Sequence, residues 1–289
     1  MFSKKLGKFA LLCLLMVALV AAGCGQSGDQ DATQNDTQEE EQGTETLSGN
    51  IQLAGSTSVQ PLAEELANVF MEKNPGVKID VQGGGSGAGI KAAAEGVANI
   101  GMSSRELKED EGGLGLVPTV IAKDGIAVIV NSANKVEGLT KDQIKGIFTG
   151  EITNWEAVGG DSAPIVVINR EEGSGTRDAF QELVLGADAK FTDSAAIQNS
   201  TGAVRTAVSS DANAVGFISL GSLDDSVKAV KVDGVEASEE NVIATTYTIS
   251  RPFLFLTKGE PTDLAKAFTD WVLSAEGQEV VGEEFIAIN

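Results

Sequence analysis

The chain is 289 residues long, with 42 acidic side chains against 21 basic ones, a formal net charge of −21 and no histidine. That charge works against nucleic-acid binding, where the phosphate backbone rewards basic surface, and the missing imidazole excludes a Ser-His-Asp triad, a His-liganded zinc and a His general base. Two tryptophans and one tyrosine argue against a cleft that stacks on sugar rings.

Residues 1–8 carry Lys4, Lys5 and Lys8, and an apolar run from Phe9 to Ala22 follows. Residues 1–23 read as a signal peptide, since the run is too short to span a membrane. Its end, Ala21-Ala22-Gly23-Cys24, resembles the lipobox of bacterial lipoproteins, with Ala21 where leucine is more usual. The resemblance implies cleavage before Cys24 and a thioether-linked diacylglycerol on it; the other reading is a secreted protein with a free thiol. Cys13 lies in the removed segment, so no intrachain disulfide is available afterwards. Residues 24–47 are mostly Gln, Asp, Glu, Thr, Ser and Gly, the composition of a disordered acidic tether.

The remaining chain alternates strand and helix signals. Gly49–Ala54 reads as a strand, Gly55-Ser56-Thr57-Ser58 as a turn, and Val59–Lys73 as a helix with Leu62, Leu66, Val69 and Phe70 on one face. Pro61 falls in the first turn, where its missing N–H costs nothing, and Asn74-Pro75-Gly76 ends the helix. Val77–Val81 is a second strand, followed by the glycine-rich run Gly83–Gly89 and a helix over 90–95. Gly83, Gly85 and Ala88 satisfy a relaxed dinucleotide fingerprint, a weak signal without a ribose-binding acid at the proper distance. A third strand, Ile100–Met102, leads into Ser103-Ser104-Arg105 and a charged helix. Val117–Val130 is strand-like and long enough to cross from one domain to another. Thr140–Phe148 is a helix, Trp155 sits in a turn, and Ile165–Ile168 is a strand. Arg170, Gly173-Ser174-Gly175 and Thr176 follow, with Thr176 opening a helix. Gly202–Ser209 reads as a helix with Ala and Val inward, Gly216–Leu220 as a strand, and Thr245–Thr257 as a β-rich return to the first domain. Helices over 262–274 and 276–285 close the chain.

Alternating strands and helices define an α/β class with mostly parallel sheets, whose carboxyl edges present helix N-termini. Four junctions there are rich in Ser, Thr and Gly. Glycine admits close approach of backbone N–H groups, the hydroxyls add donors, and the first helical turn carries partial positive charge. Arg170 supplies a fork matched to a tetrahedral oxyanion. The overall negative charge does not oppose this, because surface charge is screened beyond about 10 Å.

Together these junctions resemble the solute-binding proteins of ABC phosphate transporters, over essentially the whole chain after the tether. Gly55-Ser56-Thr57-Ser58 looks like the first phosphate loop of that family, Gln82–Gly87 like the second with Ser86 as ligand, and Arg170–Thr176 like its Arg-x-x-Gly-Ser-Gly-Thr. The resemblance implies a two-lobed, type II periplasmic-binding-protein-like fold, with 48–121 plus 247–289 as lobe I, 122–246 as lobe II, and two crossover strands between them. It implies phosphate binding by Ser56, Thr57, Ser58, Ser86, Ser104, Arg105, Arg170, Ser174, Gly175 and Thr176. Ser104 stands where many relatives carry an Asp that repels sulfate, which leaves selectivity open, and Arg105 either reaches the anion or pairs with Glu106 or Glu109. It further implies delivery to ABC permease subunits by a monomeric, lipid-anchored protein on the extracytoplasmic face of the cell membrane, with no cofactor, metal or catalytic residue. Another tetrahedral oxyanion, sulfate or molybdate, is the alternative ligand. A cell-surface phosphatase is the distant one, since Glu172 and Thr176 break the Gly-x-Ser-x-Gly pattern around Ser174.

Overall fold

The computed structural model of the protein describes residues 46–288. The signal peptide, Cys24 and most of the tether lie outside the described residues.

The elements in chain order begin with β1 (Ser48–Gly55), α1 (Gln60–Lys73), β2 (Gly76–Gly83), α2 (Ser86–Ala94) and β3 (Ile100–Ser103). Then come β4 (Leu116–Asn131), β5 (Gly138–Leu139), α3 (Lys141–Thr149), β6 (Val166–Arg170) and α4 (Gly175–Phe180). They continue with β7 (Ala196–Gln198), α5 (Thr201–Ser210), β8 (Ala214–Ser219), β9 (Val227–Ala229), β10 (Lys231–Val232) and α6 (Glu239–Ile243). The chain closes with β11 (Ser250–Lys258), α7 (Asp263–Leu273) and α8 (Ala275–Val281). One sheet of nine strands runs β2-β1-β3-β11-β4-β8-β6-β7, with β9 also on β4. Its outer pairs β1/β2, β1/β3, β6/β8 and β6/β7 are parallel. Its centre is antiparallel, because the two crossing strands β4 and β11 run against each other and against β3 and β8.

Among the described residues two large hydrophobic cores lie along this sheet, beside a small cluster of Ile90, Ala93, Leu254 and Leu256. One gathers Ile51, Leu53, Leu66, Phe70, Ile100, Met102, Phe255 and Phe268. The other gathers Ile126–Val130, Phe148, Trp155, Phe180, Phe217 and Tyr247. Each such side chain contributes about 1.5–3 kcal/mol on burial. In the second, Phe180 stacks on Phe217 with centroids 4.2 Å apart, and the Trp155 indole N–H donates to the Asn213 carbonyl at 2.9 Å. β4 feeds both: Ile121 and Ala122 enter the first core, and Ile126–Val130 the second. It pairs with β11 from Leu116 to Gly125, then with β8 from Ile126 onward.

Three local expectations are corrected. The helix after the glycine-rich run starts at Ser86, not near residue 90. A Cβ on Gly89 would stand 2.7 Å from both the Gly55 Cα and the Met102 carbonyl oxygen, so that glycine lets α2 lie close on the sheet instead of forming a loop. The charged helix expected after Arg105 is a 3-10 turn over Glu109–Leu114. Gly112 and Gly113 disfavour helix by about 1 kcal/mol each relative to alanine, and the Glu111 carboxylate is drawn to Arg105. The return segment begins as a strand at Ser250 and not at Thr245, which adopts φ 57°.

Candidate functional site

Strand–helix junctions bring the hydroxyls together. The turn after β1 holds Ser56, Thr57 and Ser58; the start of α2 holds Ser86; Ser104 follows β3. From the second half of the chain come Arg170 at the end of β6, and Ser174, Gly175 and Thr176 where α4 begins. Except for Thr57, which is half-buried, all these polar side chains are buried, Ser58, Ser86, Ser104 and Ser174 fully so.

The hydroxyls form a connected mesh. Ser56 Oγ accepts from the Ser58 and Val59 amides at 3.2 and 3.3 Å and donates to Ser104 Oγ at 2.9 Å. Ser86 Oγ accepts from the Ser104 amide at 3.1 Å and lies 3.3 Å from Ser104 Oγ. Ser58 Oγ lies 2.8 Å from Thr176 Oγ1. Ser174 Oγ caps α4 by accepting from the Arg177 amide at 3.2 Å, which leaves its hydrogen to donate. The glycines matter by proximity: a Cβ on Gly175 would fall on Ser86 Oγ and lie 2.7 Å from Ser104 Oγ. The Gly87 amide donates to the Gly173 carbonyl at 2.9 Å, joining the two glycine-rich loops. Gly175→Ala is therefore expected to weaken anion binding by about 1–3 kcal/mol, the usual cost of overpacking, while leaving each core intact. Unchanged affinity by calorimetry would contradict this close approach.

Arg170 is 2% exposed. Its Nε and Nη2 donate to the two Glu171 carboxylate oxygens, each at 2.8 Å. Nη2 also reaches Thr57 Oγ1 at 3.2 Å. A guanidinium braced by a carboxylate and facing hydroxyls that both donate and accept suits an anion with hydrogen-bonding oxygens on all sides.

Arg105 is placed differently from the other expected site residues. Its Nη1 and Nη2 donate to Glu111 at 2.7 and 2.8 Å, its Nε to Asp178 at 2.9 Å, and Nη1 also to the Glu106 carbonyl at 2.8 Å. Lys108 joins the same Asp178 at 2.8 Å. The carboxylate partners are Glu111 and Asp178, and not Glu106 or Glu109. Burial opposes the Arg105 charge, and the hydrogen bonds and charges of Glu111 and Asp178 outweigh it. The Arg105 hydrogen bond in turn holds the Glu111 carboxyl below the usual carboxylate range, against burial. A lowered carboxyl contributes stability that is complete above its unfolded value, about 4.3, and lost as pH falls through the lowered folded value. Glu111→Gln is thus expected to destabilise the protein by at least ~1 kcal/mol at neutral pH, with the difference from the unsubstituted protein vanishing in acid. Urea midpoints at the two pH values check it; a deficit that persists in acid would contradict the assignment.

Thr201, at the first turn of α5, is a member of this mesh that the sequence reading passed over. Its Oγ1 lies 2.8 Å from Ser58 Oγ. The signal was present as Asn199-Ser200-Thr201-Gly202, a fifth Ser/Thr/Gly junction. Among the described residues no group of three or more His, Cys, Asp or Glu is placed to hold a metal ion.

Two main cores joined through the long strand β4, with polar junctions from both halves of the chain meeting one another, is the arrangement of periplasmic-binding-protein-like receptors. A family model described as PBP superfamily domain matches residues 40–276. The chain is 36% identical over 276 residues to the phosphate-binding protein PstS of Bacillus subtilis, covering 94% of this chain and 90% of that one. It is 32% identical over 299 residues to the phosphate-binding protein PstS of Pseudomonas aeruginosa, covering 92% of each. Among solved structures it resembles one from Clostridium perfringens described as a phosphate ABC transporter substrate-binding protein with bound phosphate. That match has 49% identity and TM-score 0.81, over 83% of this chain and 100% of that one. An ABC-type phosphate transport receptor from Vibrio cholerae matches at 38% identity and TM-score 0.69, over 83% and 100%. The chain belongs to the PBP superfamily and, within it, to the family of phosphate-binding proteins that these relatives represent.

Proposed function

We propose that this protein captures inorganic phosphate outside the cytoplasm and delivers it to the permease subunits of an ABC transporter. The observation that carries the reading is the convergence of buried hydroxyls and one buried guanidinium from separate strand–helix junctions, in a chain whose relatives are named for phosphate binding. It is a transport binding protein and not an enzyme.

Residues 48–121 with 247–289 form lobe I, and residues 122–246 form lobe II. The division is supported by the two main cores except at its edges, where Ala122 packs in the first core and Tyr247, Ile249 and Ile286 in the second; β4 and β11 are the crossing strands. Ser56, Thr57, Ser58, Ser86 and Ser104 act from lobe I, and Arg170, Ser174, Gly175 and Thr176 from lobe II. Each lobe offers half of the donors, so the anion completes its contacts only when the cleft shuts. The dehydrated anion exchanges water for neutral donors and the charge of Arg170, whose charge-assisted bonds are worth about 1.5–3 kcal/mol each. Arg105, whose guanidinium hydrogen-bonds Glu111, Asp178 and the Glu106 carbonyl and none of the site hydroxyls, serves to tie lobe I to lobe II through Asp178 instead of touching the anion. Cys24 carries the lipid that holds the protein at the extracytoplasmic face of the membrane, and the protein works as a monomer.

The alternative ligand, another tetrahedral oxyanion such as sulfate or molybdate, is favoured by one feature: a serine, Ser104, stands where a carboxylate would repel a fully ionised anion. Titration of the purified protein with phosphate and then with sulfate separates the readings. Phosphate heat alone supports phosphate capture, equal heats widen the function to oxyanions, and silence with phosphate refutes it.

A further inference from the structure

Thr57 and Thr201 are bound to each other and to Arg170 in a way that fixes the polarity of the Thr57 hydroxyl. A hydroxyl has one hydrogen and two lone pairs, and a guanidinium can only donate. Thr57 Oγ1 accepts from Arg170 Nη2 at 3.2 Å and from the Thr201 amide at 3.2 Å. Both of its lone pairs are then occupied, so the Thr57 hydroxyl can act toward any further partner only as a donor. Thr201 Oγ1 accepts from Arg170 Nη1 at 3.3 Å. Its hydrogen, too, is free to be given, within a cluster where Ser58 Oγ lies at 2.8 Å and Thr57 Oγ1 at 3.4 Å. The Thr201 side chain is 2% exposed, which keeps water from competing. Ser200 Oγ, accepting from the Ala203 amide at 3.1 Å, holds the first turn of α5 in place.

We infer that Thr201 is a further anion-contacting residue: its hydroxyl donates to the bound oxyanion while Arg170 fixes its orientation, and its amide holds Thr57 in the donor sense. This deepens the proposed phosphate site and rests on that reading. It adds a second segment, the β7–α5 junction, to the β6–α4 loop of the second half that already faces the anion. It also gives Arg170 a second task, aligning hydroxyls as well as supplying charge.

Thr201→Val removes the hydroxyl and keeps the shape and the amide, so the Thr57 clamp survives. Calorimetry of the purified protein with inorganic phosphate is expected to show binding weakened about tenfold, ~1.4 kcal/mol, while the ligand-free protein still unfolds in a single urea transition. Thr201→Ser, which restores the hydroxyl, is expected to bind within about threefold of the unsubstituted protein. Undiminished affinity in Thr201→Val would overturn the inference. So would equal weakening in Thr201→Val and Thr201→Ser, because the loss would then follow the methyl group and its packing. If the unsubstituted protein itself gives no phosphate heat, the functional reading beneath falls, and the inference with it.

Discussion

Replacing Arg170 by alanine is expected to weaken phosphate binding at least a hundredfold, about 2.7 kcal/mol. Two effects add. The anion loses its one buried cationic partner, whose charge-assisted bonds are worth about 1.5–3 kcal/mol apiece. The Glu171 carboxylate, which spends both oxygens on Arg170 and is 25% exposed, is left unpaired beside an anion. Adding Glu171→Gln to Arg170→Ala is therefore expected to recover part of the lost affinity, although it restores no donor fork. Thr57 and Thr201 would also lose the guanidinium that orients them, so the loss should exceed that of any single serine. A titration in which Arg170→Ala binds phosphate within about threefold of the unsubstituted protein would remove Arg170 from the site.

The largest effect on stability is expected at the crossing of β4 and β11. Asp124 on β4 faces Arg251 on β11, and they are 1% and 5% exposed. Arg251 Nη2 and Nε donate to Asp124 Oδ2 at 3.0 and 3.2 Å, and Ser219 Oγ to Oδ1 at 2.7 Å. Burial pushes the Asp124 carboxyl above its usual range, and the Arg251 charge and the Ser219 hydroxyl pull against that push. Asp124→Asn leaves a buried guanidinium without its counter-charge, which costs about 3–5 kcal/mol and should lower Tm by roughly 6–20 °C in a domain of this size. Replacing the pair together, as Asp124→Asn with Arg251→Met, is expected to restore much of the loss, because well-packed apolar replacement of a buried pair is often neutral. Thermal unfolding of the three proteins decides it: a single substitution that leaves Tm in place would show that the pair contributes nothing. The position gives this pair a mechanical meaning, since it sits where β4 leaves β11 for β8 and the chain passes from one core to the other.

What could be read from the sequence divides along physical lines. β4 was legible because Val117–Val130 reads as strand-like through Lys123-Asp124-Gly125 and is long enough to cross from one domain to another. The Arg170–Thr176 turn was legible because a guanidinium, paired glycines and hydroxyls at a strand–helix junction carry a local chemical signature. Thr201 carried a similar signature and was missed. The strand before it, Ala196–Gln198, is three residues long and lies largely exposed, so no apolar run marked the junction. The partners of Arg105 were not legible, because Glu111 sits in an irregular turn and Asp178 is far along the chain. Nothing local distinguishes them from Glu106 or Glu109, and only the fold chooses. The Asp124–Arg251 pair is hidden for the same reason, its members joined by strand register alone.

The most direct test of the account is isothermal titration of the purified protein with inorganic phosphate, repeated on Arg170→Ala. The account predicts one phosphate per chain, bound with micromolar or tighter affinity, about −8 kcal/mol, and a loss of at least a hundredfold in the variant. No phosphate heat from the unsubstituted protein, or full binding by the variant, would contradict the claim that these buried hydroxyls and this guanidinium form the site.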